Sequence, residues 1–201
     1  MYSIVAEKPG DISVLQKKSI DFSEPKSNEV LIKNRAIGVN FIDIYFRAGL
    51  YPWPVDTDLV LGSEGAGEVE AVGPDVKNFK IGDRVAYAQP NNAYSTHRII
   101  SEDLVVSIPD GISYDQAAAS ILKGLTVKYL LCDSFNLQSD HEVLFHAAAG
   151  GVGLIAGQWI KEIGAKSIGT AGNSEKCMLA KQRGYDLSLI HISEPTRRTQ
   201  I

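Results

Sequence analysis

Short apolar runs separated by turn residues fill the first half of the chain. Proline and glycine interrupt them, as in Lys8-Pro9-Gly10 and Val72-Gly73-Pro74-Asp75. Many short runs of this kind are typical of a small β-barrel or β-sandwich. The predicted strands are Ile4 to Ala6, Val14 to Lys17, Glu29 to Val39, Gly65 to Val72, Arg84 to Tyr87, Tyr94 to Ser101 and Leu104 to Ile108.

The pattern becomes helical near residue 110. Ser113 and Gln116 have the spacing of a capping box before Ala117 to Ile121, and Leu125 to Cys132 continues as a second helical run. Strand-like runs follow at His141 to Phe145 and Lys166 to Thr170. Between them, apolar residues recur at helical spacing up to the stop signal Gly164: Val152, Ile155, Ala156, Trp159, Ile160 and Ile163. We therefore predict the α/β fold class, with a β-rich domain at 1–112 and an α/β domain at 113–186.

The segment 144–154 combines a strand end, a glycine-rich turn and a helix start. Gly150 and Gly153 keep the last two glycines of the G-x-G-x-x-G pattern, and Ala148 stands where the first would be. In such a turn the backbone N–H groups approach a pyrophosphate at the helix N-terminus. The segment predicts a dinucleotide site formed by Ala148, Gly150, Gly151, Val152 and Gly153, although a turn that only packs a helix on a sheet fits the same glycines.

The position about twenty residues after the last glycine distinguishes NAD from NADP, because an acid there holds the adenosine ribose of NAD. That position is Asn173, next to Gly172, and Lys176 follows one helical turn later. Because Asn173 places no carboxylate there to repel a phosphate, and Lys176 adds a positive charge, the segment suits a ribose phosphate. We therefore expect NADPH as the cofactor, bound through Gly172, Asn173 and Lys176. A solvated surface lysine is the alternative reading of Lys176.

After Asp186 the chain no longer continues the α/β pattern. Residues Leu187 to Arg197 correspond to an in-frame translation of a sequencing-library adapter, a transposase mosaic end with its primer extension. We interpret 187–201 as a non-native, adapter-derived tail on an incomplete coding sequence and exclude it from fold reasoning. His191 and Arg197-Arg198 are accordingly not interpreted as a ligand and a basic patch.

Charge and composition exclude several partners. Twenty basic against 24 acidic residues give a net charge of -4, which offers no field for nucleic acid or an anionic membrane. No run approaches the roughly 18 apolar residues of a membrane span, and the N-terminus lacks signal-peptide features. We expect a cytoplasmic protein that contacts neither nucleic acid nor membrane. Cys132 and Cys177 lack metal or disulfide spacing and are interpreted as packing residues.

Several motifs together carry a family resemblance that covers residues 1 to 186. They are Ala36 to Tyr45, Arg47 to Pro52, Gly62-Ser63-Glu64-Gly65-Ala66-Gly67, Val72-Gly73, Gly82-Asp83-Arg84-Val85, Ala117-Ala118-Ala119, Lys123-Gly124-Leu125-Thr126 and His146 to Gly153. The chain resembles the medium-chain dehydrogenase/reductase superfamily and, within it, the zeta-crystallin-like NADPH:quinone oxidoreductases. The resemblance implies a GroES-like barrel domain followed by a Rossmann domain, a doubly wound parallel sheet truncated after about two strands.

Zinc alcohol dehydrogenases share this fold but need cysteine and histidine ligands for their catalytic metal. The corresponding positions here look like Asn40 and Ser63, and the four-cysteine lobe of a structural zinc is absent. We therefore predict that no metal is bound. Without a metal to polarise an alcohol, the reduction of an acceptor is favoured over alcohol oxidation.

The resemblance implies an NADPH-dependent quinone reductase. Asn40, Asp43, Tyr45 and Tyr51 would line the substrate cleft, and Asn40, Tyr45 and Thr126 would also contact the cofactor. Packing remains an alternative for the tyrosines, and a helix N-terminal role for Asp43. No residue stands out as a general acid.

Two alternatives remain open, namely a zinc-independent enoyl or alkenal reductase and a non-catalytic, crystallin-like NADPH-binding protein. The expected partner is a small-molecule quinone or another electrophilic acceptor. We expect a homodimer for the full-length parent and no activity for the present chain.

Overall fold

The structure is a computed structural model that describes residues 1–56 and 58–190. The chain divides into two compact units, Met1–Leu122 and Lys123–Ile201. The division lies inside a helix that begins at Tyr114, whereas the sequence placed the boundary between residues 112 and 113. The reason for the difference is that this helix continues through Gly124 without a break.

The first unit is rich in β-structure, as the sequence predicted. One antiparallel sheet has the strand order β7-β3-β5-β6-β8, and a second has the order β2-β1-β4. Alternate residues of the larger sheet, such as Ile32, Val69 and Tyr87, form a buried core. The bounds are β1 Tyr2–Ala6, β2 Leu15–Ser19, β3 Glu29–Gly38, β4 Leu59–Val60, β5 Glu64–Val72, β6 Arg84–Ala88, β7 His97–Ser101 and β8 Val105–Ser107. The two-residue strand β4 was too short to be recognised in the sequence.

Two helices of different length follow strands of this unit. Helix α1, Phe41–Arg47, comes three residues after β3. Helix α2, Tyr114–Lys128, begins at the predicted capping box, where the Ser113 N–H donates to Gln116 Oε1 at 2.9 Å and the Gln116 N–H donates to Ser113 Oγ at 3.1 Å. The two predicted helical runs are therefore one helix, extended by a π-helical turn at Tyr129–Ser134.

The second unit alternates strands and helices around a parallel sheet of order β11-β10-β9. Its core joins helix and strand residues, among them Ala148, Ile160 and Tyr185. Gly164 ends α3 with φ at 86°, as its position in the pattern predicted. The bounds are β9 Glu142–Phe145, α3 Gly151–Ile163, β10 Lys166–Ala171, α4 Ser174–Gln182 and β11 Leu187–Ile190.

Strand β11 corrects the exclusion of the whole tail from the fold. Leu187 pairs with Ile168 and Leu189 with Thr170, so the start of the tail occupies the place of a third parallel strand. The alternation Leu187-Ser188-Leu189 explains why this segment can add to a sheet whatever its origin. The remaining tail, residues 191–201 with His191 and Arg197-Arg198, lies outside the described residues.

The two cysteines differ in their surroundings. Cys177 is buried in α4, as expected, but Cys132 is exposed, so the prediction that it packs in a core is wrong. Cys132 lies four residues after Lys128 and three after Tyr129, which are also exposed, whereas the buried side of this segment carries Val127 and Leu131. Within residues 1–56 and 58–190, no helix is both long and apolar enough to cross a bilayer.

Glycine allows close packing inside the second unit, and this gives a testable prediction. A Cβ added to Gly157 in α3 would lie 2.5 Å from Cε2 of Tyr185 and 2.7 Å from the Arg183 carbonyl oxygen. Gly157→Ala should therefore lower the free energy of unfolding by about 1–3 kcal/mol through overpacking. Urea unfolding followed by Trp159 fluorescence, in a Trp53→Phe background, measures the change.

The matched control is Gly124→Ala, because a Cβ at this helical glycine would meet nothing within 4 Å. Alanine there should raise stability by about 0.5–1 kcal/mol through its helix propensity. Equal effects of the two substitutions would contradict the packing argument.

Candidate functional site

The N-terminus of α1 is held by a reciprocal pair of residues. Asn40 is the N-cap, and its backbone N–H donates to Asp43 Oδ2 at 2.9 Å. Its side-chain Nδ2 donates to Glu64 Oε1 at 2.8 Å. The orientation of the Asn40 side-chain amide is therefore fixed by Glu64, and its place in the cleft and cofactor site stays a prediction.

Asp43 is buried rather than open to a cleft. Its carboxylate accepts from Ser63 Oγ at 2.6 Å and from Tyr94 Oη at 3.0 Å, in addition to the Asn40 N–H. Only 3% of the residue is exposed. The carboxylate is therefore engaged in the interior, and the assignment of Asp43 to the substrate cleft stays a prediction. Its helix N-terminal role, the alternative, agrees with the structure.

Glu64 is a second buried carboxylate that the sequence analysis did not single out. Its Oε2 accepts from the Leu122 N–H of α2 at 2.9 Å, while Oε1 accepts from Asn40. The side chain passes over Gly38, where an added Cβ would lie 2.2 Å from Oε1. The available signal was a glutamate inside the otherwise small and apolar run Gly62 to Gly67. No comparable signal in the sequence marks Tyr94.

The environment of Tyr94 favours its protonated form. Partial burial is the main cause that raises its pKa well above 10.0, and the nearby Asp43 carboxylate adds to the effect. Tyr94 therefore remains a hydrogen-bond donor to Asp43 over the whole neutral range.

Tyr45 and Tyr51 are brought together at the surface. The chain reverses after α1, so the N–H groups of Leu50 and Tyr51 both donate to the Tyr45 carbonyl, at 2.9 and 3.3 Å. The two tyrosine rings meet edge to face with centroids 5.6 Å apart. Both side chains are exposed. This arrangement leaves two aromatic rings available for a planar ligand.

The positions compared with zinc ligands hold a polar network. Asn40 donates to Glu64, and Ser63 donates to Asp43. Across residues 1–56 and 58–190, no group of three or more His, Cys, Asp and Glu residues could hold a metal ion. Zinc-independent chemistry stays a prediction.

In the second unit, the turn between β9 and α3 has the geometry of an anion site. Ala147 adopts a left-handed conformation with φ at 55°, and the Gly150 N–H donates to its carbonyl at 2.8 Å. Gly150 is the N-cap of α3. The first-turn N–H groups at Gly151, Val152 and Gly153 have no intrahelical acceptor, and together with the helix dipole they favour an anion.

Gly153 and Ala148 shape this turn from within. A Cβ at Gly153 would lie 2.5 Å from the Ala147 carbonyl oxygen, so only glycine lets α3 begin this close to the turn. Ala148 is buried, and its N–H donates to the Thr170 carbonyl at 2.9 Å. This bond engages the Ala148 N–H with β10, and the assignment of Ala148 to the cofactor site stays a prediction.

The second predicted part of the cofactor site lies after β10. Asn173 caps α4, and its Oδ1 accepts from the Lys176 N–H at 2.9 Å. A Cβ at Gly172 would meet nothing within 4 Å, so the backbone is open to a ligand there. Gly172, Asn173 and Lys176 are exposed. These three predicted residues thus form one exposed segment at the carboxyl end of β10.

Helix α2 carries Thr126, which is half-buried. On the same helix the Lys123 side chain reaches the start of α3, since a Cβ at Gly151 would lie 3.0 Å from its Cδ and Cε. In the sequence, Lys123 is visible only as part of the motif Lys123-Gly124-Leu125-Thr126. Its position next to the start of α3 adds it to the candidate residues.

Residues 26–135 match the family described as alcohol dehydrogenase GroES-like domain, and the chain belongs to this family. Among curated proteins it is 53% identical over 176 residues to a quinone oxidoreductase of Pseudomonas aeruginosa, covering 87% of this chain and 54% of that protein. It is 36% identical over 190 residues to a 2-haloacrylate reductase of Burkholderia, covering 92% of this chain and 56% of that protein.

A solved structure supports the same relationship. The chain is similar to the Escherichia coli quinone oxidoreductase complexed with NADPH, with a TM-score of 0.90 and 48% identity. The match covers 95% of this chain and 58% of that structure's chain. The chain therefore spans about half the length of the relatives it matches.

The raised pKa of Tyr94 predicts a pH dependence of stability. The pKa of Tyr94 in the folded chain lies above its unfolded value near 10.0. The stability that the protonated Tyr94 contributes is therefore complete below about pH 10. It is lost as the pH rises further, because the unfolded chain releases this proton at a lower pH than the folded chain does. Tyr94→Phe should cost about 1–3 kcal/mol at pH 7 by leaving Asp43 one donor short. It should also flatten the decline in stability above pH 10, as measured by urea unfolding at several pH values.

Tyr129→Phe is the control, since it removes an exposed hydroxyl outside the Asp43 cluster. If the free energy of unfolding of Tyr94→Phe falls above pH 10 in parallel with that of the unmodified chain, the proposed titration of Tyr94 is contradicted.

Proposed function

We propose that the chain is the substrate-binding and initial cofactor-binding part of a zinc-independent, NADPH-dependent quinone oxidoreductase. The turn at 147–153 carries this proposal, because its backbone places several unpaired N–H donors at one helix N-terminus. The similarity to quinone oxidoreductases supports the same activity.

The turn fits a pyrophosphate by shape as well as by charge. Gly150 and Gly151 are exposed and carry no side chains of their own, so a ligand can approach the backbone at the start of α3 beside the Lys123 side chain. Gly153 keeps the helix close to the turn, and this closeness orients the donors. In this role Gly150, Gly151, Val152 and Gly153 bind the phosphates, and the Lys123 side chain adds a positive charge nearby.

NADPH is favoured over NADH by the residues after β10. Asn173 has no carboxylate that would repel a phosphate, and its side chain is already engaged as the cap of α4. Lys176 lies exposed one turn later and supplies the positive charge. When bound, the cofactor supplies a hydride from its nicotinamide ring.

The first unit would bind the acceptor. Tyr45 and Tyr51 offer aromatic edges and faces to a flat ring, and Asn40 offers a side-chain amide whose orientation Glu64 holds fixed. These groups orient an acceptor and exclude water from it without forming a bond to it. Thr126 is assigned to the cofactor by family resemblance.

A reductase of activated carbon–carbon double bonds is the second candidate. The similarity to a 2-haloacrylate reductase favours it, because that relative also spans nearly the whole chain. The same cofactor residues would serve both activities, so only the acceptor separates them. If the full-length protein did not bind NADPH, neither reductase activity would be possible, and the non-catalytic, crystallin-like role would be favoured.

The activity belongs to the longer protein in this proposal. Since the chain spans about half of its relatives, we expect the 201-residue chain to be inactive and its full-length parent to be active. The homodimer expected for that parent is a proposal from the family resemblance alone.

The decisive experiment uses the full-length gene product with NADPH and NADH, each combined with a simple naphthoquinone and with an α,β-unsaturated acid. NADPH-dependent loss of absorbance at the nicotinamide band with the quinone supports the proposal. Turnover of the unsaturated acid alone would move the function to the second candidate, and absence of any NADPH binding would reject both.

Cofactor preference gives a prediction for the chain itself. Lys176→Ala should weaken NADPH binding about tenfold by removing a charge-assisted contact, with little effect on NADH. Titration of nicotinamide fluorescence measures both affinities.

Lys181→Ala, an exposed lysine in the last turn of the same helix α4, is the matched control. Equal losses for the two lysines would show a general charge effect instead of a specific phosphate contact.

A further inference from the structure

Helix α1 exposes three of its apolar side chains, while Ile42 and Phe46 stay half-buried. Phe41, Ile44 and Tyr45 lie three and four residues apart and so share one face of the helix. Phe41 is 75% exposed, whereas the acidic residue Asp43 is 3% exposed. Surface helices normally bury their apolar stripe and expose their charges.

The hydrogen bonds of Asp43 maintain this orientation. Ser63, Tyr94 and the Asn40 N–H each donate to its carboxylate, so turning the helix would leave a buried charge without its donors. Exposed contiguous apolar side chains generally indicate a binding surface. The orientation therefore keeps Phe41, Ile44 and Tyr45 available to a ligand.

The exposed stripe is continuous with the proposed acceptor site. The Tyr45 ring contacts the Tyr51 ring at a centroid distance of 5.6 Å. Phe41 precedes Tyr45 by four residues, which is about 6 Å along the helix axis. A planar ring at the tyrosine pair would thus have Phe41 and Ile44 beside any substituent that points toward the start of α1.

We propose that Phe41 and Ile44, together with Tyr45 and Tyr51, form an extended apolar subsite for quinones that carry a hydrocarbon side chain. This inference rests on the proposed quinone activity and adds the substrate class to it. None of the four residues carries a charge, so a neutral aliphatic chain matches the surface better than an anionic or sugar-bearing acceptor.

The test measures binding without cofactor, in the 201-residue chain carrying Trp159→Phe so that Trp53 is the remaining tryptophan. Trp53 follows Tyr51 by two residues and reports ligand binding by fluorescence quenching. The probes are 2-methyl-1,4-naphthoquinone and its 3-geranyl derivative. The geranyl compound should bind about tenfold more tightly because it buries additional apolar surface.

Phe41→Ser should remove most of this tenfold advantage and leave the affinity for the unsubstituted quinone within about twofold. The matched control is Ile81→Ser, because Ile81 is also highly exposed (66%) but lies between β5 and β6. Circular dichroism and gel filtration verify that both variants keep the fold and the oligomeric state of the parent.

Three results would overturn the subsite: equal binding of the two probes, an advantage unchanged by Phe41→Ser, or the same loss in Ile81→Ser. A change of oligomeric state in Phe41→Ser would also overturn it and assign the stripe to a protein contact. The binding test contains no NADPH, so it can be interpreted even if the full-length enzyme fails to reduce quinones. If the enzyme reduces quinones but binds the two probes equally, the proposed function stands and only the subsite is rejected.

Discussion

A buried carboxylate is stable only when donors surround it, and the first unit is organised around such a group at Asp43. Its three donors come from the N-cap of α1, the residue before β5 and the segment before β7. These segments are far apart in sequence, so the carboxylate fixes where they meet. The position of α1, and with it that of Tyr45, follows from this one group.

Glu64 extends the same principle to a second helix. One carboxylate oxygen accepts from the side chain of Asn40 and the other from the Leu122 N–H of α2. Because the side chain is completely buried over Gly38, it has little freedom to choose other partners. Two acidic residues thus set the geometry of a surface whose exposed members are mainly apolar, and the polar network determines how the side chains of α1 are presented.

Periodic features were predictable from the sequence, but long-range polar contacts were not. The strands of the first unit, the capping box at Ser113 and the end of α3 at Gly164 each depend on neighbouring residues. The burial of Asp43 depends on Ser63 and Tyr94, which lie 20 and 51 residues away, and no local pattern reports that distance. Strand β11 is another case, because only four residues, 187–190, pair with β10 and the sequence around them resembles an adapter and not an α/β repeat.

The left-handed backbone at Ala147 has a consequence for the energetics of ligand capture. An alanine in this conformation costs about 1–2 kcal/mol, which glycine would avoid. Folding meets that cost through the bonds that link Gly150 to Ala147 and Ala148 to Thr170. The turn is consequently preorganised: an arriving anion finds its donors in place, and little conformational entropy is left to lose on binding.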